Sequence, residues 1–198
     1  MRQDRNIAPL ENWLAQWGPV EPDLSVTLSD ETRSAILEKL ARLLEDNYPF
    51  PHPVYAGQML KPPHEIAAAA YSMAMFLNPN NHALDGGPAT AALERDAIAK
   101  IARMIGYDPA TSLGHLTSSG TIANLEALWV ARELNPGKAI ASSASAHYTH
   151  ARMCGVIGVP HIAVPAGTNG RMNIGALRTA LVRNEIGTIV ATLGTTSL

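Results

Sequence analysis

The chain has 198 residues, with 15 Lys+Arg against 17 Asp+Glu and a net charge of −2, which excludes a polycation that tracks a nucleic-acid backbone. It is 46% hydrophobic and only 16% charged, enough apolar content for a packed core, with a surface so poor in charge that burial against a partner or a further segment is expected. No apolar run approaches the ~20 residues of a membrane-spanning helix, Met1-Arg-Gln-Asp-Arg-Asn6 lacks the apolar core of a secretion signal, and the single cysteine, Cys154, rules out an internal disulfide, so the cytoplasm is the expected compartment.

Residues 1–28 are irregular, with Trp13 and Trp17 at a helical spacing. Ser29-Asp-Glu31 reads as a helix start, followed by a stripe of Ile36, Leu37, Leu40, Leu43 and Leu44. Asn47 to Pro63 holds five prolines and a glycine, too many for regular structure, so this stretch is an ordered loop or a linker. His64 to Leu77 is apolar nearly all round, which predicts a buried helix. A loop over 78–88, dense in turn residues, leads to a helix over 89–105 with Leu93, Ala97, Ile98, Ile101 and Ile105 on one face and Gly106 as its stop.

From there the pattern alternates. A strand near 113–117, a helix over 121–134, a strand over 139–142 and a helix over 147–156 are predicted in turn. A strand over 161–164, a helix over 174–185 capped by Asn173, and a strand over 187–192 complete the series. Such alternation implies an α/β fold, a mostly parallel sheet flanked by helices. Ligands of these sheets sit beyond the carboxyl ends of the strands. Three loops expected there carry functional side chains: 117–121, 142–150 and 193–197.

The first of them, Thr117-Ser-Ser-Gly-Thr121, opens directly into a helical pattern. A helix start presents unpaired amides and a partial positive charge, Ser118, Ser119 and Thr121 add hydroxyls, and Gly120 allows close approach, so the turn suits a phosphate. Ser and Thr are equally ordinary helix caps. The turn matches neither the P-loop, nor the dinucleotide fingerprint, nor the nucleophile elbow, so the phosphate would belong to another cofactor. In the second loop His147 stands at a predicted helix start, where an imidazole is either structural or solvated, or lies flat on a heteroaromatic ring; His150, a competitor one turn on, is expected to face solvent or its own helix. In the third, Thr195 and Thr196 either satisfy the strand end or bond a cofactor substituent. Cys154, among small apolar residues, suits a buried thiol rather than a nucleophile. No metal site is expected.

Thr117-Ser-Ser-Gly-Thr-Ile-Ala-Asn124, Ser145-Ala-His147-Tyr and Val190-Ala-Thr-Leu-Gly-Thr-Thr196, in this order and spacing, resemble the group II pyridoxal-phosphate-dependent amino-acid decarboxylases. The likeness extends upstream to His52-Pro-Val-Tyr-Ala-Gly-Gln-Met59 and to the segment from Asn78 to Glu94. The resemblance implies the fold type I large domain, incomplete here and preceded by a helical N-terminal arm. That arm with its proline-rich loop would cover 1–62, and the N-terminal part of the cofactor domain 63–198. It implies pyridoxal phosphate as cofactor, an L-amino acid as substrate, and a homodimer with a shared active site. Carried over by position, Ser119, Gly120 and Thr121 would hold the phosphate and His147 would stack on the pyridine ring. Thr196 would contact the cofactor or place that histidine, and His52 would lie towards the substrate.

The family also places an aspartate opposite the pyridine nitrogen soon after the third motif, and further on a lysine that binds the cofactor covalently. The sequence stops at Leu198 before either, and Lys39, Lys61, Lys100 and Lys138 match no such context. The chain is therefore expected to be the N-terminal part of a longer enzyme, inactive alone. The rival readings are another fold type I activity, a carbon–carbon lyase or aminotransferase, and a noncatalytic phosphate-binding or dimerising module.

Overall fold

The computed structural model describes residues 8–19, 28–57 and 62–195. Two compact units divide the chain, 1–93 and 94–198. In the first, α1 covers Ala8–Ala15, α2 Asp30–Leu44 and α3 Glu65–Leu77. Ser29 caps α2 as predicted, its hydroxyl accepting the Thr32 N–H at 3.1 Å. The described part of the proline-rich stretch, 47–57, forms successive turns, in which Phe50 meets Tyr55 edge-on at 5.1 Å between ring centroids. The predicted burial of the third helix is not met: no residue of α3 is buried, and Tyr71 and Phe76 stand exposed. An apolar girth records what a helix is able to pack against, whereas burial requires a partner on each face.

Helix α4 (Pro88–Met104) carries the chain into the second unit and ends as predicted at Gly106. That residue takes φ +87°, its N–H bonds the Arg103 carbonyl, and the Tyr107 N–H reaches back to Ala102 at 2.8 Å. This is a Schellman closure, which needs a residue without Cβ penalty at the left-handed position.

The remainder is α5 (Gly120–Leu134), β1 (Ala139–Ser143), α6 (Thr149–Val156), β2 (His161–Val164), α7 (Ile174–Arg183) and β3 (Ile186–Val190). The strands form a parallel sheet in the order β2-β1-β3, so the predicted α/β fold holds. The strand expected at 113–117 is absent. Leu113 is fully exposed, and the Leu116 N–H bonds the Glu94 carboxylate at 2.9 Å instead of a neighbouring strand. Apolar residues at strand spacing do not make a strand without a ladder partner. Among the described residues, no helix is long and apolar enough to cross a membrane.

All five residues of β1 are buried, as expected of a central parallel strand covered on both faces. The core joins Ile140 of β1 to Leu128 of α5, Met153 and Cys154 of α6, and Val159. Arg132 on α5 ties the two helices together by donating to the Ile157 carbonyl at the end of α6, at 3.0 Å. The Cys154 thiol is wholly buried, and burial pushes its pKa up, which fits the predicted packing role. Gly187 fixes how α5 meets the sheet. A Cβ there would lie 2.5 Å from the Asn135 Cβ, so only glycine lets the end of α5 press on the start of β3.

Ile140 is 1% exposed at the centre of this cluster. Ile140→Ala is expected to lower unfolding stability by about 2–4 kcal/mol, read as a reduced urea midpoint with an unchanged slope.

Candidate functional site

Since the end of α5 abuts the start of β3, the opposite end of the helix points towards the carboxyl edge of the sheet. A single turn reverses the chain into β1, closed by the Lys138 N–H on the Asn135 carbonyl. The start of α5 therefore lies on the side where loops leave the strands, although its approach segment is not itself a strand.

Ser119 is the N-cap, extended at φ −168° and ψ 162°. Its Oγ accepts the Ile122 N–H at 3.3 Å, its carbonyl accepts the Ala123 N–H, and Thr117 Oγ1 braces that carbonyl at 2.8 Å. Asn124 Nδ2 holds the Gly120 carbonyl at 2.7 Å. Among the described residues the amides of Gly120 and Thr121 have no protein acceptor. A Cβ on Gly120 would meet nothing within 4 Å, so the space beside Gly120 is open. Ser118, Ser119 and Thr121 are exposed around it. The Ser119 hydroxyl, accepting one bond, keeps its own proton to donate. Two free amides, a ring of hydroxyls and the positive end of a fifteen-residue helix make a receptacle for an anion, and a phosphate fits the donor set.

His147 lies in the same unit, on the turn between β1 and α6. Its Nδ1 stands 2.6 Å from Thr149 Oγ1 and accepts the Thr149 N–H at 3.3 Å. Its ring meets Tyr148 at 4.3 Å between centroids and 32° between planes. With one face against Tyr148, the opposite face is left for a second ring. Helix α6 begins at Thr149, two residues later than predicted, because the imidazole caps the Thr149 amide from outside.

His150 departs from expectation. It is 8% exposed, on the face of α6 that also buries Thr149, Met153 and Cys154, and its Nδ1 is buried without a partner among the described residues. Burial above all, then the nearby His147 and His161, lowers its pKa. His161, at the start of β2, bonds Ser142 Oγ at 2.8 Å and is also lowered by burial. Polarity places an isolated histidine on a surface, but the α6 register turns position 150 inward. The spacing 149, 150, 153, 154 was the available signal.

His52 lies in the first unit, in the turn closed by its N–H on the Pro49 carbonyl, with its Nδ1 accepting the Val54 N–H. Thr196 lies outside the described residues. Its neighbour Thr195 borders a cleft of about 550 Å³ with Ser143, Arg171, Met172, Ile189 and Thr192, at the carboxyl edge of β1 and β3. Neither Ser119–Thr121 nor His147 lines this cleft, which sequence reasoning did not anticipate. Among the described residues, no group of three His, Cys, Asp or Glu is arranged to hold a metal.

No protein-family model matches the chain. It is 40% identical over 80 residues to an L-tyrosine decarboxylase of Levilactobacillus brevis, covering 40% of this chain and 12% of that one. It is 31% identical over 142 residues to a probable L-tyrosine/L-aspartate decarboxylase of Methanoculleus marisnigri, covering 71% of this chain and 38% of that one. The fold matches mouse CSAD with a TM-score of 0.70 at 22% identity, over 87% of this chain and 40% of that one. It also matches the glutamate decarboxylase domain of a Vibrio parahaemolyticus transaminase and L-2,4-diaminobutyrate decarboxylase, with a TM-score of 0.62 at 20% identity, over 88% and 41%. The chain thus spans well under half the length of the relatives it matches.

His150 and His161 bind protons less readily in the folded chain than at their ordinary value of 6.5. The unfolded chain therefore gains protons first as pH falls, and stability that is intact above 6.5 is lost as pH drops towards the folded values. The urea midpoint is expected to fall between about pH 7.5 and about pH 5.5. His150→Leu should shrink that fall and leave the share owed to His161; equal wild-type midpoints would contradict the assignment.

Proposed function

Because the chain belongs to the group II pyridoxal-phosphate-dependent amino-acid decarboxylase family, we propose that it supplies the phosphate-binding part of an enzyme that decarboxylates an L-amino acid to the corresponding amine. The observation that carries this reading is the pair of unpaired amides at the open start of α5. The names of the relatives, tyrosine and aspartate decarboxylases, support an α-amino acid as substrate.

In this reading Gly120 and Thr121 hold the phosphate by their amides, and Ser119 and Thr121 by their hydroxyls. His147 offers its free ring face to the pyridine plane. Thr196 contacts the cofactor or places that imidazole, and His52 and its neighbours serve the substrate side. Bound pyridoxal phosphate supplies the electron sink for the bond broken at the substrate's Cα. The protein's own part is to hold the phosphate, fix the ring plane and leave one histidine donor in place. The arm over 1–62, the cofactor-binding part over 63–198, assembly as a homodimer with a shared site, and residence in the cytoplasm belong to the same proposal.

Within the second unit, neither described lysine is paired with a group at the α5 start. Lys100 pairs with Asp96 at 2.6 Å, and Lys138 is exposed at the amino end of β1, the opposite edge of the sheet. Pyridoxal phosphate is therefore expected to bind this chain reversibly and weakly. Borohydride reduction of a lysine adduct, with turnover, would overturn that expectation. An amino-acid panel offered to the polypeptide in its full translated length, with carbon dioxide and amine measured, tests the reaction itself; transamination products in place of amine would refute decarboxylation.

Gly120→Pro isolates the phosphate site. Gly120 is the first helical residue, where proline is tolerated because the N–H has no intrahelical partner. The extended Ser119 suits a residue before proline, and the added Cβ meets open space. Helicity should survive while pyridoxal phosphate affinity, followed by absorbance titration, falls about tenfold through loss of one hydrogen bond to a charged group. Undiminished affinity would remove the phosphate from this turn.

A further inference from the structure

We infer that Thr149 is a positioning residue, which locks His147 into the tautomer carrying its proton on Nε2 and so leaves that N–H as the ring's exposed donor. The inference rests on the cofactor reading only for its purpose; the lock itself is a property of this chain.

A backbone amide can only donate, so the Thr149 N–H at 3.3 Å makes His147 Nδ1 an acceptor. In the neutral ring the proton then resides on Nε2. The Thr149 hydroxyl stands 2.6 Å from the same nitrogen and, facing an acceptor, donates to it. Thr149 is 1% exposed and among the most buried side chains of the protein. Its side chain is closed off from water, and its hydroxyl is committed to His147 Nδ1. The imidazole is thus held at one edge by a buried hydroxyl and an amide, and on one face by Tyr148. What remains is its Nε2–H edge, which has no protein acceptor among the described residues, and the face away from Tyr148. This arrangement suits a ligand that offers a flat ring to that face and an oxygen acceptor to that edge. A histidine free to exchange tautomers would present donor and acceptor alternately; the donor-only amide opposes that exchange, and the buried hydroxyl, donating to the same nitrogen at 2.6 Å, reinforces it.

The test is long-range proton–nitrogen NMR of the chain labelled at histidine, with the His147 signals assigned by their loss in His147→Gln. Wild type is expected to show an unprotonated Nδ1 and a protonated Nε2. Thr149→Val keeps shape, burial and the 3.3 Å amide bond but removes the shorter hydroxyl bond, and should move both nitrogen signals part of the way towards the averaged positions of an exchanging ring. Thr149→Ser should restore them. Ile140→Ala, which weakens the same core, should leave them in place and so separates positioning from general destabilisation. A proton on Nδ1 in wild type, or unmoved signals in Thr149→Val, would overturn the inference. Adding pyridoxal phosphate gives the second arm. If it binds, Thr149→Val should weaken it about fivefold and Thr149→Ser should not. If wild-type His147 signals ignore the cofactor, the cofactor reading fails while the Thr149 lock stands on the tautomer alone.

Discussion

Strand β1 is buried along its whole length and bonded in parallel on both edges, and the second unit is organised by that constraint. A strand with no access to water must find every backbone partner in its neighbours. Parallel neighbours cannot be reached by a tight hairpin, so the chain crosses over through α6 and α7 before it returns. Each crossover leaves a strand at the same edge of the sheet. The loops after β1 and β3 therefore collect on one side by topology alone, before any side chain is considered.

The candidate site uses that edge in two ways. Helix α5 folds back from the amino end of β1, held down where Gly187 admits the end of the helix, and this turns its unpaired amides towards the edge. The residues before it gain no ladder. Their direction is set instead by Glu94, whose carboxylate accepts the Leu116 N–H. Ser119 serves two ends at once, since its oxygen caps the helix while its proton stays available. On the neighbouring turn, His147 caps the next helix with one ring nitrogen and exposes the other. Each element thus closes its own helix start with a side chain that keeps one donor in reserve.

Beneath this edge lies a second layer of polar groups. His150 and His161 are held with depressed proton affinity by burial, with Ser142 bonded to His161 across β1 and β2. A buried imidazole with an unpartnered nitrogen is costly unless it stays neutral. Protonation of either imidazole therefore works against the packing of α6 on the sheet, a linkage that an aliphatic core would not carry.

Much was legible in the sequence because it is local. Ser29, Asn173 and Gly106 mark helix ends through their own chemistry with the nearest turn, and the alternation after residue 120 follows from period and punctuation. The motif at 117–121 announced a helix start with hydroxyls, and that is what the fold contains. Partnership was not legible. The segment 113–117 has strand-like residues but no neighbour to pair with, and α3 has an apolar girth but no buried residue. Polarity alone sends His150 outward and only the register of α6 turns it in, while a threonine near a helix start has no distinctive pattern that would single out Thr149. The cleft beside Thr195 joins residues from three separated stretches and exists only once the sheet is assembled. Sequence alone determined where α2, α5 and α7 are capped and which turn gathers hydroxyls at a helix start, since those depend on residues within a turn or two. Tertiary structure decided which strands find partners and which histidine is buried, since these depend on contacts between residues that only folding brings together.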